Sequence, residues 1–192
     1  SECEKYPPYI FHAGFLNEQK DGIIDVFKAF SIAAKENPDL EFWLTTRKAE
    51  KKTLNKIDKI IKDNQLQDRI KFLGFIPKKE IWEKLGCAKA VVICKHNNPQ
   101  NQHNFPTKIG EYAMLGLPLV YAGIGEAKNY LQSNESALIV STDPNEIASS
   151  INTILTNEKL EKKLSVGSKR VNSEMFYYKN HVNTFKSMLD GN

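Results

Sequence analysis

Ala90-Val91-Val92-Ile93-Cys94 is a continuous apolar run, three of its five residues β-branched, with polar residues on both sides. A run of this length and composition reads as a strand buried on both faces, which is the environment of a parallel sheet. Parallel neighbours need long crossover connections, and the chain supplies them. Tyr9-Ile10-Phe11-His12-Ala13 reads as a first strand, and Ile23, Phe27, Phe30 and Ala34 mark one helix face after it. Leu40–Leu44 is the second strand and the lysine-rich stretch Lys48 to Lys62 the helix that follows. Ile70–Phe75 is the third strand, before a helix carrying Ile81, Trp82 and Leu85.

Beyond the central run lies a long polar segment, Lys95 to Asn104, and then Phe105-Pro106 opens a helix with Ile109, Tyr112, Ala113 and Met114. Gly116 stops that helix and Pro118 lies beyond it. Leu119–Ala122 and Ala137–Val140 are two further strands around a short helix. From Asp143 the pattern is helical, ending in a helix from Phe176 with Tyr178, Val182, Phe185 and Leu189 on one face. Sustained alternation of this kind predicts an α/β, doubly wound, Rossmann-like parallel six-stranded sheet with helices on both faces. The expected strand order is 3-2-1-4-5-6, which reverses direction between strands 1 and 4. Ligands bind at the carboxyl ends of that pair, where the sequence places Gly14 to Gly22 and Lys95 to Asn104.

Several chemistries are excluded by spacing. Gly14-Phe15-Leu16-Asn17-Glu18-Gln19-Lys20-Asp21-Gly22 is not Gly-x-Gly-x-x-Gly, and bulky Phe15 and Leu16 would block a dinucleotide. No Walker loop, metal-ligand spacing or Gly-x-Ser-x-Gly elbow occurs, so no metal or bound cofactor is expected. The charge of +4 is mild and nearly all of it is lysine. The basic segment Lys48 to Lys62 lacks interleaved aromatics, which argues for a solvated helix face and against nucleic acid, while weak peripheral contact with an anionic membrane stays open. No apolar run approaches the ~20 residues of a membrane span. The polar start, without an initiator Met, reads as part of a longer protein with no signal peptide. Cys3, Cys87 and Cys94 show no metal or CxxC spacing, and the latter two lie in apolar stretches, so free thiols and a cytoplasmic setting are expected.

His103-Asn104-Phe105-Pro106-Thr107-Lys108-Ile109-Gly110-Glu111 stands at a helix amino terminus beside strand 4. Unpaired amides and the helix dipole suit a diphosphate there, with Lys108 serving the anion and Glu111 accepting from ribose hydroxyls. Spacing alone leaves a second reading open, an ordinary helix start with two solvated charges.

At these residues the chain resembles the retaining GT-B glycosyltransferases of group 1, in their carboxyl-terminal, donor-binding domain. Phe105-Pro106-Thr107-Lys108-Ile109-Gly110-Glu111-Tyr112-Ala113-Met114-Leu115-Gly116-Leu117-Pro118-Leu119-Val120 is similar to the family's donor-site helix and next strand. Ile70 to Pro77 and Ala137 to Val140 with Asp143-Pro144 fall in matching order, so the likeness runs over residues 9 to 190. The resemblance implies that residues 1–192 form one domain binding a nucleoside-diphosphate sugar, UDP- or GDP-linked, and that an amino-terminal acceptor domain lies outside this chain. It implies metal-independent transfer with retention to a saccharide or lipid-linked acceptor, as in bacterial polysaccharide synthesis. By the same resemblance Glu111 holds the donor ribose, Phe105, Pro106 and Thr107 present amides, Gly14 and Lys20 meet phosphate, and Ile76 lines the base pocket. The sequence departs from the family at Phe15, where an arginine is usual, and at His103, where the first Glu of Glu-x7-Glu is usual. Lys108 or Arg47 would substitute for the arginine, and His103 would donate to a sugar hydroxyl or phosphate, or else stand solvated. A GT-B sugar-nucleotide epimerase and a non-catalytic nucleotide-binding module are the alternatives.

Overall fold

In the computed structural model, residues 2–189 are described. A 3₁₀ turn at Glu2–Lys5 leads into β1 (Tyr9–His12), the short α1 (Glu18–Asp21), α2 (Ile23–Glu36) and β2 (Glu41–Leu44). Next come α3 (Lys51–Asp63), β3 (Ile70–Phe72), α4 (Lys78–Gly86) and β4 (Ala90–Lys95). The chain continues through α5 (Pro99–Gln102), α6 (Lys108–Leu115), β5 (Leu119–Gly123), a 3₁₀ turn at Glu126–Asn129 and β6 (Leu138–Val140). It closes with α7 (Pro144–Thr156), α8 (Glu158–Val171), a π turn at Asn172–Phe176, a 3₁₀ turn at Tyr178–His181 and α9 (Val182–Leu189).

The sheet has the expected order, β3-β2-β1-β4-β5-β6. Every pairing is parallel, including the switch pair in which Ile10 faces Ala90. Residue alternation along the strands builds two cores, one per face. Ile10, Phe42 and Val92 pack under α2, α3, α7 and α8 with Phe27, Ile57, Ile151 and Leu164. Tyr9, Phe11, Trp43 and Tyr121 pack under α4 and α6 with Leu85, Ile109 and Tyr112. All six residues of β4 are buried, as a strand covered on both faces requires.

Element boundaries move in ways that matter for the site. Helix α6 begins at Lys108 and not at Phe105-Pro106, because Pro106 and Thr107 form a preceding turn whose carbonyls accept from Ile109 and Gly110. The polar segment after β4 is not all loop: Asn98 caps α5 by accepting from the Asn101 amide. The third strand ends at Phe72, since Gly74 takes a left-handed φ of 72° and turns Phe75 fully outward. The last helix begins at Val182 rather than Phe176, after the π and 3₁₀ turns.

The cysteine reading is corrected. Cys3 and Cys87 form a disulfide across 84 residues, and only Cys94 is a free, buried thiol. Local spacing carries no trace of this pairing, because packing creates it. Tyr6 sits edge-on to Trp43, Trp43 stacks on Tyr9 at 4.0 Å, and Lys84 lies over the Tyr6 ring. That cluster lays the opening segment beside the end of α4, where Cys87 is the cap. The thiols thus offer no support for a reducing compartment. No described helix is long and apolar enough to cross a membrane.

Candidate functional site

The carboxyl ends of β1 and β4 meet at His12 and Lys95, and both side chains are buried. Over them lies α1, capped at its start by Asn17, whose side chain accepts from the Lys20 amide at 2.7 Å. Gly22 ends α1 with a φ of 51° and passes so close to β4 that a Cβ there would lie 2.4 Å from the Cys94 sulfur. Only glycine meets both demands. A four-residue helix leaves its last carbonyls without intrahelical partners. Here β4 and α5 supply them. Asn98 and Asn101 both donate to the Gln19 carbonyl, at 3.0 and 3.2 Å, and Lys95 Nζ donates to the Lys20 carbonyl at 2.8 Å. The same Nζ pairs with Asp21 at 3.0 Å. The two loops flanking the switch point are thereby bound into one unit.

Gly14 and Lys108 face each other across this unit. The Gly14 amide donates to Thr45 Oγ1 at 2.9 Å, and its φ of 107° holds the loop open. A Cβ on Gly14 would stand 3.0 Å from Lys108 Nζ. Burial pushes the Lys108 pKa down; Asp21 and Glu111 pull it up, while Lys95 and Lys20 add to the depression. Beneath lies a small cavity of about 20 Å³ lined by His12, Asp21, Lys95, Pro106, Lys108 and Tyr112. His12 is held neutral there, its pKa lowered to about 4 by burial and then by the Lys108 charge. A desolvated ammonium, a neutral imidazole and a helix amino terminus together make a cradle for an anion.

The structure thus gathers Gly14, Lys20, Lys108 and Glu111 around the switch point. Lys20 and Glu111 are solvent-exposed on its rim and act electrostatically on Lys108. Pro106 is buried under the cradle, Thr107 is exposed beside it, and Phe105 turns its ring into a cluster with Tyr130 and Phe176. Ile76 stands on the loop between β3 and α4, two strands away from β1.

Arg47 and His103 do not line the cavity beneath Lys108. Arg47 pairs with Asp58 at 2.5 Å, lies over the Phe72 ring, and lines a separate cavity of about 610 Å³ with Phe15 and Lys48. Both partners of that ion pair are about half exposed. His103 is exposed at the end of α5, on the rim of a depression lined by Gln102, Ile124 and Glu126. His12, Asp21 and Lys95 line the cavity beneath Lys108, and spacing did not reveal them. A histidine at a strand end and a lysine closing an apolar run were the available signals. Among the described residues no group of three or more His, Cys, Asp or Glu is placed to hold a metal.

A family model described as "Glycosyl transferases group 1" matches residues 2–171. The chain belongs to that family. No curated protein matches the chain. Among solved structures, this group 1 domain superposes on Anabaena HepE, a structure with UDP-glucose, at TM-score 0.80 and 19% identity, covering 96% of this chain and 49% of that one. It superposes on sucrose-phosphate synthase from Thermosynechococcus elongatus at TM-score 0.77 and 17% identity, covering 96% and 45%. The chain therefore spans about half the length of those two proteins. The carboxyl-terminal domain of LpcC, a group 1 protein from Francisella tularensis, matches at TM-score 0.74 and 17% identity over 91% of this chain and 90% of that one. These likenesses confirm the GT-B Rossmann-like fold.

Proposed function

We propose that this group 1 domain is the donor-binding half of a two-domain glycosyltransferase. The observation that carries the reading is the approach of the Lys108 ammonium to Gly14 at the switch point, with Lys20 and Glu111 on the rim. A nucleoside-diphosphate sugar, linked to UDP or GDP, lies with its diphosphate between the Gly14 to Lys20 loop and the turn at Phe105, Pro106 and Thr107. Glu111 accepts from the ribose hydroxyls, and the base extends toward Ile76. The HepE complex with UDP-glucose supports a nucleotide-sugar ligand, and the near-complete overlap with the LpcC domain supports a donor half separate from the rest of the enzyme.

As the bond from the anomeric carbon to the diphosphate breaks, negative charge develops on the leaving group. Lys20, Lys108 and backbone amides face that charge, with Lys108 already partly desolvated by burial, which is electrostatic stabilisation without a metal. The acceptor, a saccharide or a lipid-linked saccharide, is held by an amino-terminal domain, and transfer proceeds with retention. His103, exposed at the end of α5, donates to a sugar hydroxyl or phosphate of the donor. The test is isothermal titration of this domain with UDP and GDP, with Glu111→Ala beside it. Binding of one nucleotide, weakened in the variant, supports the reading; equal affinity in both proteins removes Glu111 from the site.

The second reading is a nucleotide-binding module without transfer. Phe15 favours it, since it is largely exposed where the family places a phosphate-binding cation. Donor binding by the full-length protein with no turnover on any acceptor would favour that module.

A further inference from the structure

We propose that Lys95 is a positioning residue: it sequesters the Asp21 carboxylate and so keeps the Lys108 ammonium free for the diphosphate of the ligand. The inference rests on the donor-site reading above but concerns a residue outside it. Lys95 is the last residue of β4 and only 2% exposed, so the ligand does not reach it. A lysine this buried persists only with partners, and it has the Lys20 carbonyl at 2.8 Å and Asp21 Oδ1 at 3.0 Å. Asp21 also lines the cavity in which Lys108 stands.

The groups acting on Lys108 are Asp21 and Glu111, which attract it, and Lys95 and Lys20, which repel it; His12 faces it from β1. Of the two carboxylates, Asp21 acts the more strongly. Without a competing cation Asp21 would close onto Lys108, and a diphosphate would have to displace a preformed ion pair. Lys95 prevents this twice over, by holding Asp21 and by opposing, with its own charge, the pull of Asp21 on Lys108. A purely structural Lys95 would only fasten α1, and the effect of losing it would not depend on the charge at position 21.

The test uses Lys95→Met, Asp21→Asn and the double variant, with UDP and GDP as probes and the Lys108 side-chain pKa read by NMR in the absence of ligand. Lys95→Met is expected to weaken nucleotide binding about five- to tenfold and to raise the Lys108 pKa. The double variant is expected to return both readings to near the parent values, because the carboxylate that captures Lys108 is gone. Unchanged binding and unchanged Lys108 pKa in folded Lys95→Met would overturn the proposal, as would failure of the double variant to recover while its melting temperature does. If Lys95→Met does not fold, the double variant decides: near-parent values for both readings support the proposal, and loss of either overturns it. If the parent binds neither nucleotide, the donor-site reading fails. The Lys108 titration then still decides the present proposal, a rise reversed by Asp21→Asn supporting it and no rise sinking it.

Discussion

Lys108 Nζ stands so near Gly14 that a Cβ on the glycine would come within 3.0 Å of it. The two residues lie 94 positions apart, one on the loop after β1 and the other at the start of α6, and β1 and β4 bring them together. Gly14→Ala therefore displaces the ammonium and strains a backbone at φ 107°. The expected outcome is a loss of about 1–2 kcal/mol in stability and nucleotide affinity lowered about tenfold. Denaturant unfolding and calorimetric titration of the variant read the two effects separately.

Lys108 and Arg47 are both candidate phosphate cations by sequence, and geometry separates them. Arg47 is held by Asp58, whereas Lys108 points into the cradle. Lys108→Met should weaken nucleotide binding by roughly ten- to a hundredfold, the value of one charge-assisted hydrogen bond. Arg47→Ala should leave it within about twofold. Equal losses in the two variants would place the diphosphate nearer α3.

His12 predicts a pH dependence of stability. Its pKa is lowered from 6.5 to about 4, by burial first and by Lys108 next. Between those values the unfolded chain takes up a proton at this residue and the folded chain does not. Stability therefore falls as the pH drops from 6.5 toward 4, and the loss levels off below, reaching up to ~3 kcal/mol. In His12→Gln this part of the acid limb should flatten. Urea midpoints at a series of pH values measure it, and an unaltered slope would show that His12 is not the group responsible.

The disulfide makes a chemical prediction. Cys94 is buried, and burial together with Asp25 pushes its pKa up to about 12. Oxidised native protein should show no thiol reactive with a disulfide reagent, and one per chain after denaturation. Cys3→Ser should cost about 2–5 kcal/mol of stability. It should also change the near-ultraviolet dichroism of Trp43, since the opening segment carries Tyr6 against that ring.

The fold was legible because its signals are local and repeated. The apolar run at β4, the helix faces of α2 and α7 and the stop at Gly116 each depend on a few neighbouring residues, and together they determine strand order through the handedness of crossovers. The family motif was legible for the same reason, since Phe105 to Val120 is one continuous segment. Sequence alone also placed Gly14, Lys20, Lys108 and Glu111 near the switch point, because chain order assigns them to the ends of β1 and β4.

Tertiary structure decided what each candidate cation pairs with. Arg47 meets Asp58, a partner on the next helix that spacing could not select among many exposed acids. Lys95 reads as the first polar residue of a loop, yet it is buried beneath α1 with Asp21. Cys3 and Cys87 meet only because an aromatic cluster folds the opening segment back over β1 and β2. A side chain's protonation and pairing depend on how much water it loses and which charge lies within a few ångströms. Both are set by segments far apart in the chain, and neither is encoded in any local pattern.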